Sequence, residues 1–338
     1  MRLIKKILCT LLVCLTLVGC SSTKHYVSYT IYPIGYLLNR IGGNKISTTT
    51  VQNNSMVQIA SVVDGCKEIL EDSMVLFHIG GLEPYMDLYE EDIKEIGVPI
   101  VDLSVLNALY DYKRYTPVIV NGKLNFVEGK YYESELFDEI DTYGFDPFIW
   151  LSPIGMYSMA KDIKDYLASN YFEQSDFFTE NYDKLADELI ALDAAYNALS
   201  LQLVNQNKSI KFVSMTGSFG CWQKDYGFQV YPICLSKYGA LPSAQQLQII
   251  KQKIKDDNVQ YIAYEPNMPE EMTLLFNEIE EELGLKRVTL HNISSLTASQ
   301  IETGKDYMQL MYENLSILQN MATDNVVVTY ADVEEVEE

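Results

Sequence analysis

The side chains able to do chemistry are few and scattered. Among 338 residues there are 3 His, at His25, His78 and His291. That is too few for a histidine-rich metal centre or for several catalytic imidazoles. The 6 Cys contain no CxxC pair, and the separation of Cys221 from Cys234 is not a zinc-ligand spacing. A disulfide between those two and a pair of free buried thiols both remain compatible with it. His78 and His291 each close a predicted strand. With Glu265 and Asp146 they would make a donor set adequate for zinc if the fold brought all four to one point, although a strand-end role for His78 is the simpler reading. No glycine-rich phosphate loop, nucleophile elbow or HExxH occurs, which argues against an enzyme.

Positioning such groups falls to alternating strands and helices. Strands are expected over 26–32, 46–51, 73–77 and 98–103, with helices over 33–41, 56–70 and 84–96. The second half repeats the rhythm, with strands over 210–215, 261–264 and 287–290 and helices over 243–256, 269–283 and 304–321. A further strand could fall at 326–330. The alternation predicts an α/β protein with parallel sheets covered on both faces. Between the halves, Tyr182, Leu185, Leu189, Leu192, Tyr196, Leu199 and Leu203 recur at alternating spacings of three and four within 175–205. That is one uninterrupted helical stripe, about 45 Å long. Being single, it reads as an intramolecular strut and not as half of a coiled coil.

Charge and address narrow the function. With 47 Asp+Glu against 25 Lys+Arg the net charge is -22, which excludes nucleic acid as a partner and opposes passive adhesion to anionic lipid. The N-terminus carries Arg2, Lys5 and Lys6, then an apolar run over 7–18 too short to span a membrane comfortably. It ends in Leu17-Val18-Gly19-Cys20, which resembles the lipobox of bacterial lipoproteins, in which the cysteine thiol receives lipid. The expected organisation is a signal peptide over 1–19, a tether over 20–25, an N-terminal lobe over 26–174, a linking helix over 175–206, a C-terminal lobe over 207–330 and an acidic tail over 331–338.

Asp146-Pro147-Phe148-Ile149-Trp150-Leu151-Ser152-Pro153 resembles the DPHxWLxP motif of the zinc- and manganese-binding lipoproteins that feed ABC transporters, with Phe148 where that family has His. Gly80-Gly81-Leu82-Glu83-Pro84 is similar to its GxGLEPW turn, and Pro242-Ser243 leading to Gln246-Leu247 to its EPSxxQL helix start. Gly304-Lys305-Asp306-Tyr307 resembles the start of its last helix. The resemblance implies two α/β lobes joined by one long rigid helix with a ligand cleft between them. It implies a lipid-anchored, substrate-binding component on the extracytoplasmic face of a bacterial cell membrane, serving an ABC transporter permease and carrying Zn2+ or Mn2+.

Carried over residue by residue, the family's four metal positions fall at Val57 (window 56–58), Phe148, Thr216 and the window 291–294, where His291 is the good donor. A phenyl ring cannot coordinate Zn2+ or Mn2+, and a hydroxyl does so weakly. The expectation is a degenerate site, with His291 and His78 as its remaining imidazoles and weak metal binding. A cleft so altered is partly apolar and partly hydrogen-bonding, which suits a small organic ligand. Glu83, Asp146 and Glu265 match positions read as structural carboxylates. The alternative is a surface lipoprotein on the same scaffold that takes a non-metal ligand or a protein partner, as in adhesion. Tyr110, Tyr112, Tyr115, Tyr131, Tyr132 and Tyr143 suit such recognition, and compositional bias explains them equally well.

Overall fold

Two parallel four-stranded sheets carry the chain. The computed structural model describes residues 26–120 and 123–323, so Cys20, the segments 1–19 and 20–25, the strand expected at 326–330 and the tail 331–338 lie outside the described residues. The first sheet uses β1 (Tyr26–Tyr29), β2 (Ser47–Thr50), β3 (Ser73–His78) and β4 (Ile100–Asp102) in the order β2-β1-β3-β4. Its helices are α1 (Tyr32–Gly42), α2 (Cys66–Glu71) and α3 (Met86–Ile96). Pro33 lies in the first turn of α1 and Gly43, at φ 51°, closes it, the arrangement of Pro and Gly that helix ends favour. The helix expected over 56–70 is a correction: only α2 forms. Upstream, Asn53 N–H donates to Ser61 O at 2.9 Å and Val63 N–H to Val51 O at 3.0 Å. That return of the chain occupies backbone groups a helix would need.

Between the sheets lie β5 (Arg114–Val120) and β6 (Lys123–Gly129), an antiparallel hairpin, then α4 (Pro153–Asn170) and α5 (Ser175–Asn205). All seven stripe residues of α5 are buried, and it packs on α1 and α4, which makes it the internal strut. It is not the only such stripe. Met156, Met159, Ala160, Ile163 and Leu167 form a second on α4, built from methionine and alanine and hidden among tyrosines. Ser152 caps α4, its Oγ accepting from Gly155 N–H at 3.3 Å. The hairpin, also absent from the sequence reading, docks through Arg114, whose guanidinium donates to Tyr231 Oη at 2.7 Å and Asp257 Oδ2 at 2.9 Å. Tyr231 belongs to the second sheet, so this part of the 26–174 stretch packs on the other half.

The second sheet runs β10-β9-β7-β8 from β7 (Lys211–Thr216), β8 (Gln229–Cys234), β9 (Tyr261–Tyr264) and β10 (Lys286–Thr289). Its helices are α6 (Cys221–Tyr226), α7 (Ala244–Asp256), α8 (Glu270–Leu283), α9 (Ala298–Glu302) and α10 (Tyr307–Thr323). β8 eluded the pattern because all six of its residues are buried and it contains Pro232; as an edge strand it tolerates the missing donor. Ser243 and Gln246 form a reciprocal capping box at the start of α7. Ser243→Ala is expected to cost about 1 kcal/mol, read as a fall of about 2–4 °C in thermal midpoint.

Candidate functional site

In parallel sheets the carboxyl ends of the strands converge on a crevice, and ligands bind there. The last residue of β7, Thr216, and the residue just past β9, Glu265, meet at those ends. Glu265 is fully buried. Its Oε1 accepts from the N–H groups of Met215 at 3.2 Å and Thr216 at 3.3 Å, and its Oε2 from Asn292 Nδ2 at 2.7 Å and Thr216 Oγ1 at 3.3 Å. Burial pushes its pKa up to about 7 despite these donors. Asn292 follows β10 and extends the network: Ser294 Oγ donates to Asn292 Oδ1 at 3.0 Å, and Asn267 Nδ2 to Ser295 Oγ at 2.9 Å. Between Asn292 and Ser294, Ile293 has φ 57°. That conformation is costly for a β-branched residue and is held here by its surroundings.

The carried-over metal positions do not form one donor set. Val57 and Phe148 are buried in the same apolar core. Phe148 packs edge-on against Tyr143 at 5.5 Å and Trp150 at 5.4 Å between ring centroids. The chain of rings continues through Tyr112 to Tyr131, so the tyrosine-rich stretch packs inward here. Thr216 serves Glu265. His291 turns to the helices beyond the strand: Nδ1 lies 3.1 Å from Gln300 Nε2, and Nε2 lies 3.4 Å from Glu313 Oε2. With the amide donating to Nδ1, the neutral ring directs Nε2–H to Glu313, and both nitrogens are engaged. Burial first of all, opposed by Glu313, holds its pKa below the usual value.

His78 stands apart from that network. Its Nδ1 is 3.9 Å from Glu83 Oε2, and neither atom has a hydrogen-bond partner. Glu83 Oε1 accepts from Thr30 Oγ1. Burial pulls the His78 pKa down, yet Glu83 and Asp102 outweigh it and leave it raised. Asp146 is buried and turns inward, its Oδ1 accepting from Phe148 N–H at 3.0 Å. Burial lifts its pKa to about 7. Among the described residues no three His, Cys, Asp or Glu side chains are grouped so as to hold a metal ion. Cys66, Cys221 and Cys234 are free thiols, which settles the pairing left open by spacing. Burial raises Cys234 to about 12 and holds Cys221 well above the ordinary thiol value.

Contacts between the two halves close this crevice. Trp150 Nε1 donates to Asn292 O at 2.7 Å, Tyr32 N–H to Ser294 O at 3.3 Å, and Asn54 Nδ2 to Leu296 O at 2.5 Å. Tyr143 Oη lies within 3.3 Å of Leu82 O and 3.5 Å of Lys237 O. Asn267 was missed from sequence, and Asn292 and Ser294 fell inside the window 291–294 without being singled out. The signal available was the set of polar side chains Asn292, Ser294 and Ser295 a few residues past a strand of a parallel sheet.

Comparison with known proteins places this arrangement. The zinc-binding lipoprotein AdcA of Streptococcus pneumoniae is 29% identical over 234 residues, covering 68% of this chain and 44% of the relative. The high-affinity zinc uptake system protein ZnuA of Bacillus subtilis is 24% identical over 53% of this chain and 54% of its own. The chain therefore spans less than half the length of the pneumococcal relative. The crystal structure of the Zn(II)-bound ZnuA-like domain of S. pneumoniae AdcA superposes with a TM-score of 0.65 at 20% identity, over 88% of this chain and 99% of that one. It shares the fold. Residues 27–321 match the family described as zinc-uptake complex component A, periplasmic, and with two parallel sheets bridged by one long helix in place, the chain belongs to that family.

Proposed function

We propose that the chain is the extracytoplasmic substrate-binding component of a metal-type ABC transporter, anchored through lipid on Cys20 and delivering its cargo to a membrane permease. The observation that carries this is the family match over nearly the whole described chain, joined to a crevice at the carboxyl ends of two parallel sheets. Relatives named for zinc binding or zinc uptake make Zn2+ the reference cargo. The donor chemistry in the crevice departs from it. Phe148 offers no lone pair, Thr216 is spent on Glu265, and His291 is spent on Gln300 and Glu313. A transition metal needs three or four such donors at one centre. The lining of the closed crevice is therefore hydrogen-bonding and aromatic, a chemistry weak for metal and nearer to that which a small organic ligand would need.

Calorimetric titration of the chelator-stripped soluble domain is expected to give a Kd for Zn2+ or Mn2+ no tighter than about 10 μM, about −7 kcal/mol. Nanomolar one-to-one binding that disappears in His291→Ala would overturn the weak-metal reading. The transport role is checked separately, by adding the domain to a reconstituted metal-type permease and following ATP turnover. Absence of stimulation would remove that role.

A further inference from the structure

A cavity that shares none of the crevice's hydrogen-bonding residues has the chemistry of a cation site without the geometry of a metal site. Its volume is about 640 Å³, and it opens between the loop at 106–110, α4, α5 and α6. None of Thr216, Glu265 or Asn292 lines it. Three carboxylates do: Asp146 ahead of α4, Asp193 on α5 and Asp225 on α6. Every recorded partner of the three is neutral. Asp225 Oδ1 accepts from Tyr110 Oη at 2.8 Å, Asp193 Oδ1 from Tyr226 Oη at 2.9 Å, Asp193 Oδ2 from Asn197 Nδ2 at 2.8 Å, and Asp146 Oδ1 from Phe148 N–H at 3.0 Å.

The two lysines of the lining are committed elsewhere. Lys161 pairs with Asp165 at 2.8 Å. Lys224 pairs with Glu128 at 3.4 Å and lies 4.8 Å from the centre of the Tyr115 ring. Asp225 Oδ2 is buried with no donor in hydrogen-bonding geometry and only the Ser152 hydroxyl beside it, so it retains the capacity for a further donor. The remaining wall joins ring and aliphatic surface from Tyr110, Tyr157, Leu106 and Ile154 to the polar side chains of Asn107, Ser152 and Ser158.

The geometry points to this cavity as a binding site for an organic ammonium ion, a linear di- or polyamine whose charged nitrogens meet carboxylates on separate helices while its methylenes cover the apolar wall. Carboxylates and aromatic faces are the two partners an alkylammonium takes up. A volume of several hundred Å³ suits a small organic molecule. A bare metal ion does not fit the observations, because among the described residues no three acidic, thiol or imidazole groups are gathered to hold one. Because α4, α5 and α6 all contribute, the ligand would bridge the strut to a helix from each half.

The test is calorimetry of the whole soluble domain with spermidine and putrescine at physiological salt. One equivalent of spermidine is expected to bind. Asp225→Asn and Asp193→Asn, each checked for an unchanged far-ultraviolet spectrum, are expected to weaken it by at least about tenfold. The exposed double variant Asp87→Asn/Glu95→Gln is expected to bind as wild type does. The proposal is overturned by no saturable binding at millimolar spermidine, by equal competition from Mg2+ at matched ionic strength, or by equal affinity in both cavity variants. Each of those outcomes would reduce the effect to general attraction by a chain of net charge -22.

Discussion

Raising the pH from about 5 to about 8 is expected to weaken the folded state by on the order of 3 kcal/mol for each of two buried carboxyls, Glu265 and Asp146. Both have folded pKa values of about 7, lifted chiefly by burial from 4.5 and 3.8 respectively. Between the unfolded and folded values the native chain holds a proton that the unfolded chain has released. Stability therefore falls as pH rises through that window, and the loss is complete above about 7. Asp225, also raised by burial, adds to the same trend. So does His78, whose raised pKa favours the folded state at low pH and loses that contribution as pH rises through the folded value. His291 opposes them, because its lowered pKa makes acid unfavourable to the fold. The carboxyls outnumber it. Urea unfolding midpoints at several pH values measure the slope, and Glu265→Gln and Asp146→Asn should each flatten it. A wild-type profile that is level or rises toward pH 8 would sink the prediction.

Trp150→Ala is expected to cost about 3–5 kcal/mol. The indole is fully buried against Phe148, and its Nε1–H is the donor to Asn292 O across the junction. Its own carbonyl accepts from Tyr307 Oη at 2.6 Å. Truncation opens a cavity and strands the Asn292 carbonyl, so two separate penalties add. Chemical denaturation measures the loss. Leu88→Ala, at a position 81% exposed, should stay within about 0.5 kcal/mol of wild type. An equally small change at Trp150 would mean that the two halves are not held together through this residue.

The elements that sequence made legible are those whose periodicity is set by a single environment. α5 has one buried stripe along its length and was read to its ends; β9, buried on both faces, coincided with its expected bounds. The hairpin went unread because its partner is Tyr231, more than a hundred positions away, and nothing local announces such a dock. β8 lacked alternation, and 56–65 lost its helix to backbone bonds with the end of β2. The crevice was half legible. Thr216 and Glu265 stood out by position, whereas the engagement of His291 with Glu313 depends on α10, which only the tertiary fold brings beside β10.

The chain has 2 Trp, and both are tethered in the same place. Trp150 Nε1–H binds Asn292 O, and Trp222 Nε1–H binds Leu151 O at 2.8 Å. Ultraviolet emission excited selectively in indole is thus an intrinsic optical gauge of the seam between the halves, and it ignores the outer faces of both sheets. Any event that pries the halves apart and admits water should redden that light, with no dye or label attached.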